Sequence, residues 1–231
     1  MATYVLVHGS YQGGWIWQKV ADRLRAAGHR VYAPSLDGCA ERKGEVRAGI
    51  TTESQADEIA QLLFYEDLKD VVLVGTSSGG MVVCRAAELM RDRVGRLVFV
   101  DALALLDGEK IRDIVTRSTA TASGGGLTAG PSREDAANRL FADLDPETRA
   151  WALERYTQHP IGIYDQPVKL DRFWSLPWKA SVIWCTRAQN PGEAHQRRCA
   201  GKLKARWHTL DTGHYPMLSA PDELANLIMS G

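Results

Sequence analysis

The chain has 231 residues, enough for one domain with a modest insertion and a core held without disulfides or metal. Its 28 basic and 28 acidic side chains cancel, which excludes the one-signed field that draws nucleic acid or an anionic membrane surface. Cys39, Cys84, Cys185 and Cys199 lie in apolar or helical contexts with no CxxC pair, so free thiols in a reducing cytoplasm are expected.

The opening MATYVLVHGS lacks the basic region of a signal peptide, and no apolar run approaches the roughly 20 residues that span a bilayer. A cytoplasmic monomer or homodimer acting on a small molecule, with no nucleic-acid or membrane partner, is expected. Short β-branched runs at 3–8, 30–34, 70–75, 95–101, 180–186 and 206–211 alternate with helical patterns near 14–27, 52–64, 78–91, 194–204 and 221–229. Near-continuous apolar strands separated by helices predict an α/β fold: a mainly parallel sheet of about six strands, covered on both faces.

Between Asp101 and Ala180 this alternation breaks. The glycine-rich stretch 116–135 reads as a mobile loop; 135–158 has helical spacing with a break at Asp145-Pro146, and 159–174 is rich in proline and aromatics. The segment at about 107–176 is therefore expected to be a lid inserted into one domain that spans 1–231.

Chemistry concentrates at three turns. VVLVGTSSGGMVV runs from an apolar strand into a helix, and only Ser77 has glycine two places to either side, Gly75 and Gly79. GxSxG alone is weak, but a sharp strand-to-helix turn exposes the central hydroxyl above the sheet. Ser78 then offers its N–H at the helix start as one half of an oxyanion hole. The turn after the first strand, HGSYQGGW, should bring the Ser10 N–H to the same point, with His8 as a brace. Against a nucleotide-binding turn stands the absence of GxGxxG and of a Walker lysine. Among six histidines, His29, His208 and His195 sit where structural or solvated roles are expected, and His159 lies in the insertion, within reach of substrate. His214, in the glycine-marked loop after the last strand, lies at the carboxyl edge where open α/β sheets place their sites.

HGSYQGGW, GTSSGG and TGHYPM together resemble the α/β-hydrolase superfamily, in particular its compact branch of plant methylesterases of the salicylate-binding type, hydroxynitrile lyases and bacterial ester- and carbamate-cleaving hydrolases. APSLDGCAER and HPIGIYDQPVKL resemble bacterial members of that branch. The likeness covers nearly the whole chain and is weakest through 107–150. It implies an α/β-hydrolase fold, a Ser77–His214 pair and no metal or organic cofactor. Lyases of the branch carry a lysine after the histidine and a threonine in the first loop; here Tyr215 and Gly9 stand there, which speaks against lyase activity.

The resemblance also implies an aspartate after the strand at 180–186, where this chain has Ala188. A catalytic histidine needs a carboxylate on its far nitrogen to fix the tautomer and stabilise the imidazolium. Asp101, ending the strand that follows the nucleophile helix, is the expected replacement, in a position some other α/β-hydrolases use. Glu193 is second, on a helix turn that faces water; Asp211 would have to fold back, and Asp171 would need the lid to close. Tyr11, Trp15, His159, Trp174 and Tyr215 are the expected substrate contacts, while other aromatic rings pack in the core. The expected reaction is hydrolysis of a small hydrophobic or aryl ester through an acyl-enzyme. The alternatives are amide or carbamate cleavage by the same triad, and noncatalytic ligand binding on a hydrolase scaffold.

Overall fold

The computed structural model describes residues 1–115, 121–122 and 126–230. Six strands form one sheet: β1 (Thr3–Val7), β2 (Arg30–Tyr32), β3 (Val71–Ser77), β4 (Val94–Ala102), β5 (Ala180–Cys185) and β6 (Arg206–Leu210). Their spatial order is β2-β1-β3-β4-β5-β6, and every neighbouring pair is parallel. All carboxyl ends therefore share one edge, where the turns after β1, β3 and β4 meet.

The alternation of side chains along each strand feeds two cores. Val5, Val7, Val71, Leu73, Leu97, Phe99 and Val182 join one buried cluster, while Tyr4, Leu6, Val72, Val74, Val98, Val100 and Ile183 join the other. Helices α2 (Thr52–Tyr65), α3 (Gly79–Leu89) and α5 (Glu193–Leu203) cover the first face. Helices α1 (Gln18–Ala26) and α6 (Pro221–Ser230) cover the second. Burial on both faces explains why the strands read as continuous apolar runs.

Local chemistry sets the helix starts. Thr51 and Ser54 cap α2 reciprocally: the Ser54 N–H donates to Thr51 Oγ1 at 3.3 Å and the Thr51 N–H to Ser54 Oγ at 2.9 Å. In the insertion, α4 (Pro146–Arg155) begins at Asp145, whose carboxylate accepts from the Thr148 N–H at 2.9 Å, with Pro146 in the first helical position. That is the break expected at Asp145-Pro146. No helix among the described residues is long and apolar enough to cross a membrane.

One reading of the insertion needs correction. Within 116–135, residues 116–120 and 123–125 lie outside the described residues, but Thr121–Ala122 and Thr128–Gly130 are strands, not loop. They join His159–Pro160 in a small antiparallel sheet, with Thr128 opposite Pro160 and Ala129 opposite His159. Small residues suit this sheet because Gly130 runs against the Tyr11 and Tyr156 rings: a Cβ there would fall 2.9 Å from the Tyr11 ring and 2.8 Å from the Tyr156 hydroxyl.

Candidate functional site

Ser77 ends β3 with φ of +51°, a left-handed conformation that side chains rarely adopt, and α3 begins two residues later. The tight turn survives because its neighbours lack side chains. A Cβ on Gly75 would lie 2.8 Å from Val83, and one on Gly79 would strike the His8 carbonyl oxygen. The first loop comes as close: a Cβ on Gly9 would sit 2.5 Å from Ser77 Cβ and 3.1 Å from its Oγ.

This loop is fastened through His8. Its ring nitrogens contact the Gly9 carbonyl at 2.8 Å and the Leu36 N–H at 2.9 Å. Because Nε2 accepts from Leu36, Nδ1 carries the proton that is donated to Gly9. Burial pushes this imidazole down to about 4, so it remains neutral as a brace. Ser10 and Ser78 are both buried, and their hydroxyls bond at 2.9 Å, which ties the first loop to the start of α3.

Asp101 sits at an irregularity in the ladder between β3 and β4. Thr76 pairs with Val100 and Ser77 with Ala102, so Asp101 is left over; its φ is +44°. Such a bulge re-aims a side chain. The fully buried carboxylate points to the His214 ring, with Oδ2 2.5 Å from Nδ1, and Oδ1 accepts from the Cys185 N–H at 3.4 Å. Burial raises the Asp101 carboxyl above its ordinary range, while the histidine beside it and the Cys185 N–H favour the charged form.

His214 stands in the loop after β6. Its neighbour Gly213 donates to Asp143 of the insertion at 3.0 Å, and Tyr215 packs edge-on against His214 at 5.1 Å and on Phe141 at 4.9 Å. The ring's hydrogen bond goes to Asp101, and none joins it to Ser77 Oγ. Bonds of that kind often close only when substrate is bound. Ser77 and His214 are both partly exposed, so solvent reaches the turns that carry them.

The other carboxylates lie elsewhere. Glu193 pairs with Arg197 one helical turn on, Asp211 with Thr186 and Arg187, and Asp171 is exposed near Arg85. Of the expected substrate contacts, Tyr11, His159 and Tyr215 are buried. Trp15 packs edge-on against Trp151, and the Trp174 indole donates to the Leu105 carbonyl at 3.1 Å.

Sequence reasoning missed the brace behind Asp101. Gln196 Nε2 donates to the Ala102 carbonyl at 3.0 Å, and His195 Nε2 accepts from the Ala104 N–H at 3.0 Å. On the other side the Leu103 N–H donates to the Ser77 carbonyl at 2.8 Å. The segment after the bulge is thus held between α5 and the nucleophile turn. The signal was readable: Cys199, Ala200 and Leu203 mark the buried face of α5, and His195 and Gln196 extend that face with polar residues. Burial, aided by Arg198, pushes His195 down to about 4, which keeps it neutral and able to accept.

A family model described as "Alpha/beta hydrolase family" matches residues 4–227. The carbendazim hydrolyzing esterase of Nocardioides sp. is 29% identical over 237 residues, covering 97% of this chain and 97% of its own. Lipase LipV of Mycobacterium tuberculosis is 28% identical over 247 residues, covering 99% and 92%. Methylesterase 8 of Arabidopsis thaliana is 38% identical over 98 residues, 42% of this chain and 36% of its own. Among solved structures, an extracellular alpha/beta-hydrolase from a Paenibacillus species matches with a TM-score of 0.86 at 23% identity, over 100% of this chain and 98% of that one. At that identity the likeness bears on the fold alone.

Proposed function

Because the chain belongs to the alpha/beta hydrolase family, we propose that it is a serine carboxylesterase, cleaving a small hydrophobic or aryl ester through an acyl-enzyme. The observation that carries this reading is the buried Asp101 carboxylate, 2.5 Å from His214 Nδ1 at the strand end beside Ser77. A carboxylate in that place fixes the proton on Nδ1 and leaves Nε2 free to accept one. The full-length similarity to an esterase and a lipase supports the same reaction class.

In this mechanism Ser77 Oγ attacks the ester carbonyl carbon while His214 Nε2 takes the hydroxyl proton. The carbonyl oxygen becomes an oxyanion held by the Ser10 and Ser78 N–H groups, whose loops are already joined through their hydroxyls. Collapse breaks the bond to the alkoxy group, which leaves as an alcohol with the proton from His214. Water then repeats the sequence on the acyl-enzyme, releases the acid and restores Ser77. The cycle calls for no metal or organic cofactor. Tyr11, Trp15, His159, Trp174 and Tyr215 contact the substrate, and the insertion at about 107–176 acts as a lid. Four free cysteines suit a reducing cytoplasm, where the protein works as a monomer or homodimer.

Cleavage of an amide or carbamate would use the same three side chains. The test is reaction with a fluorophosphonate probe and peptide mapping, followed by matched ester, amide and carbamate substrates. Label on Ser77 that is lost in His214→Ala, with esters turned over fastest, is expected. Absence of label from the wild type would defeat the proposal, and tight ligand binding without turnover would point to a binding protein.

A further inference from the structure

Beside Ser10 lies a group of polar side chains that the acyl-transfer cycle does not use. The rings of Tyr11, His159 and Tyr164 are mutual neighbours: Tyr11 and His159 are 6.3 Å apart, Tyr11 and Tyr164 6.4 Å, and His159 and Tyr164 6.1 Å. His159 is 1% exposed. Its Nδ1 meets the Cys39 sulfur at 3.4 Å, and its Nε2 is buried with no hydrogen-bond partner. The Tyr164 hydroxyl is also buried; Ser10 and Tyr11 stand at hydrogen-bonding range of it, but no bond of good geometry joins it to either.

An unsatisfied buried group costs about 1–3 kcal/mol, so a ring nitrogen with no partner beside a phenol without a well-formed bond leaves room for a group from outside to pair with both. They come from adjoining parts of the insertion, the strand at His159–Pro160 and the short helix Gly162–Asp165, and converge on the loop that carries Ser10. Their chemistry restricts what could satisfy them. Burial, with His8 nearby, pushes His159 down to about 3, so the ring is neutral; burial also holds the Tyr164 phenol well above its usual range and the Cys39 thiol up at about 12. The charged or titratable groups acting on His159 and Tyr164 are His8, Tyr11 and Tyr156, none of them cationic. An anion there would lose its hydration without a counter-charge. A neutral partner fits either tautomer, because the phenol can donate or accept whichever role His159 Nε2 takes.

We infer that His159 and Tyr164 form a polar subsite beside Ser10 for an uncharged hydrogen-bonding group on the substrate, such as the ring nitrogen of a heteroaryl ester. This rests on the esterase reading and narrows its substrate class from aryl esters in general to those with a heteroatom in the ring that passes Ser10. A site built to pair with such a group discriminates against the hydrocarbon analogue, which leaves the protein's own polar atoms unmatched.

The test uses two isosteric series. The three methyl pyridinecarboxylates are compared with methyl benzoate, and the three pyridylmethyl acetates with benzyl acetate. These put the ring on the acyl and alcohol sides in turn, and every rate is normalised to hydroxide-catalysed hydrolysis. At least one pyridine isomer is expected to exceed its benzene counterpart about tenfold or more in kcat/KM. That preference should fall below about threefold in Tyr164→Phe or in His159→Phe. Binding of the same esters to Ser77→Ala, measured by calorimetry, reads the subsite without chemistry. Equal binding of the pyridine and benzene esters there overturns the subsite whatever the turnover, as does a wild-type preference that survives in both ring variants. A binding preference in Ser77→Ala together with no hydrolysis by the wild type keeps the subsite and rejects the esterase reading instead.

Discussion

Asp101→Asn isolates the charge on the carboxylate with almost no change of shape. The carboxylate accepts from two groups, His214 Nδ1 at 2.5 Å and the Cys185 N–H at 3.4 Å, whereas an amide has one acceptor oxygen and one donor nitrogen. With its oxygen toward Cys185, the amide presents N–H groups to Nδ1, drives the proton to Nε2 and removes the base. With its oxygen toward His214, the tautomer survives but the imidazolium loses its counter-charge. For charges about 4 Å apart at an effective dielectric of about 20, that loss is about 4 kcal/mol, or roughly 10³-fold. The wrong tautomer costs about 10⁴-fold. Turnover of a p-nitrophenyl ester should therefore fall by about 10³–10⁴ with KM little changed. Because burial disfavours the Asp101 charge, the amide should not lower the urea midpoint. A folded Asp101→Asn protein that keeps more than a tenth of wild-type turnover would refute the assignment.

Further outcomes follow from the same geometry. Gln196→Leu, which removes the donor to Ala102, should lower kcat about tenfold alone and add nothing in an Asp101→Asn background, as a double-mutant cycle would show. Gly9→Ala puts a methyl group 2.5 Å from Ser77 Cβ, so fluorophosphonate labelling should slow at least a hundredfold, an estimate in line with what an ångström of misplacement costs. Glu193→Gln, which loses a partly exposed helix pair with Arg197, should leave turnover within about twofold.

Stability should also fall in acid. His8 and His195 are held down to about 4 and His159 to about 3, against an ordinary 6.5, so the unfolded chain binds protons that the folded one refuses. The folded state keeps its full advantage above about 6.5 and loses it as pH drops toward 4, by about 2 kcal/mol per histidine at pH 5. Urea midpoints at pH 7.5 and pH 5 that coincide would contradict this.

What could be read from the chain follows the range of the interactions. The six strands and the Ser77 turn rest on local patterns of apolar runs, glycine spacing and helix starts, and they were legible. A carboxylate meeting His214 was expected at the end of a strand, and Asp101 is the one that the structure places against its ring. The bulge that turns its side chain is a matter of pairing between β3 and β4, which no single segment encodes. The strands at Thr128–Gly130 and His159–Pro160 were hidden for the same reason, since small residues read as loop until a partner 30 positions away gives them a ladder. For His195 the choice between a structural and a solvated role stayed open because its partner, the Ala104 N–H, is 91 positions distant.

With the carboxylate that meets His214 seated on β4, the segment after β5 has a different task. Ala188, Gln189 and Asn190 carry no carboxylate for His214, whereas Arg187 stays tied to the loop before that histidine, its N–H donating to the Thr212 carbonyl at 3.1 Å and its guanidinium to the Asp211 carbonyl at 2.9 Å. Ser77 and Asp101, in contrast, lie on neighbouring strands joined in one ladder, which fixes each against the other. His214 arrives on separate tethers, through Gly213 to Asp143 and through Asp211 and Thr212 to Arg187, so its alignment depends on contacts outside the β3–β4 pair.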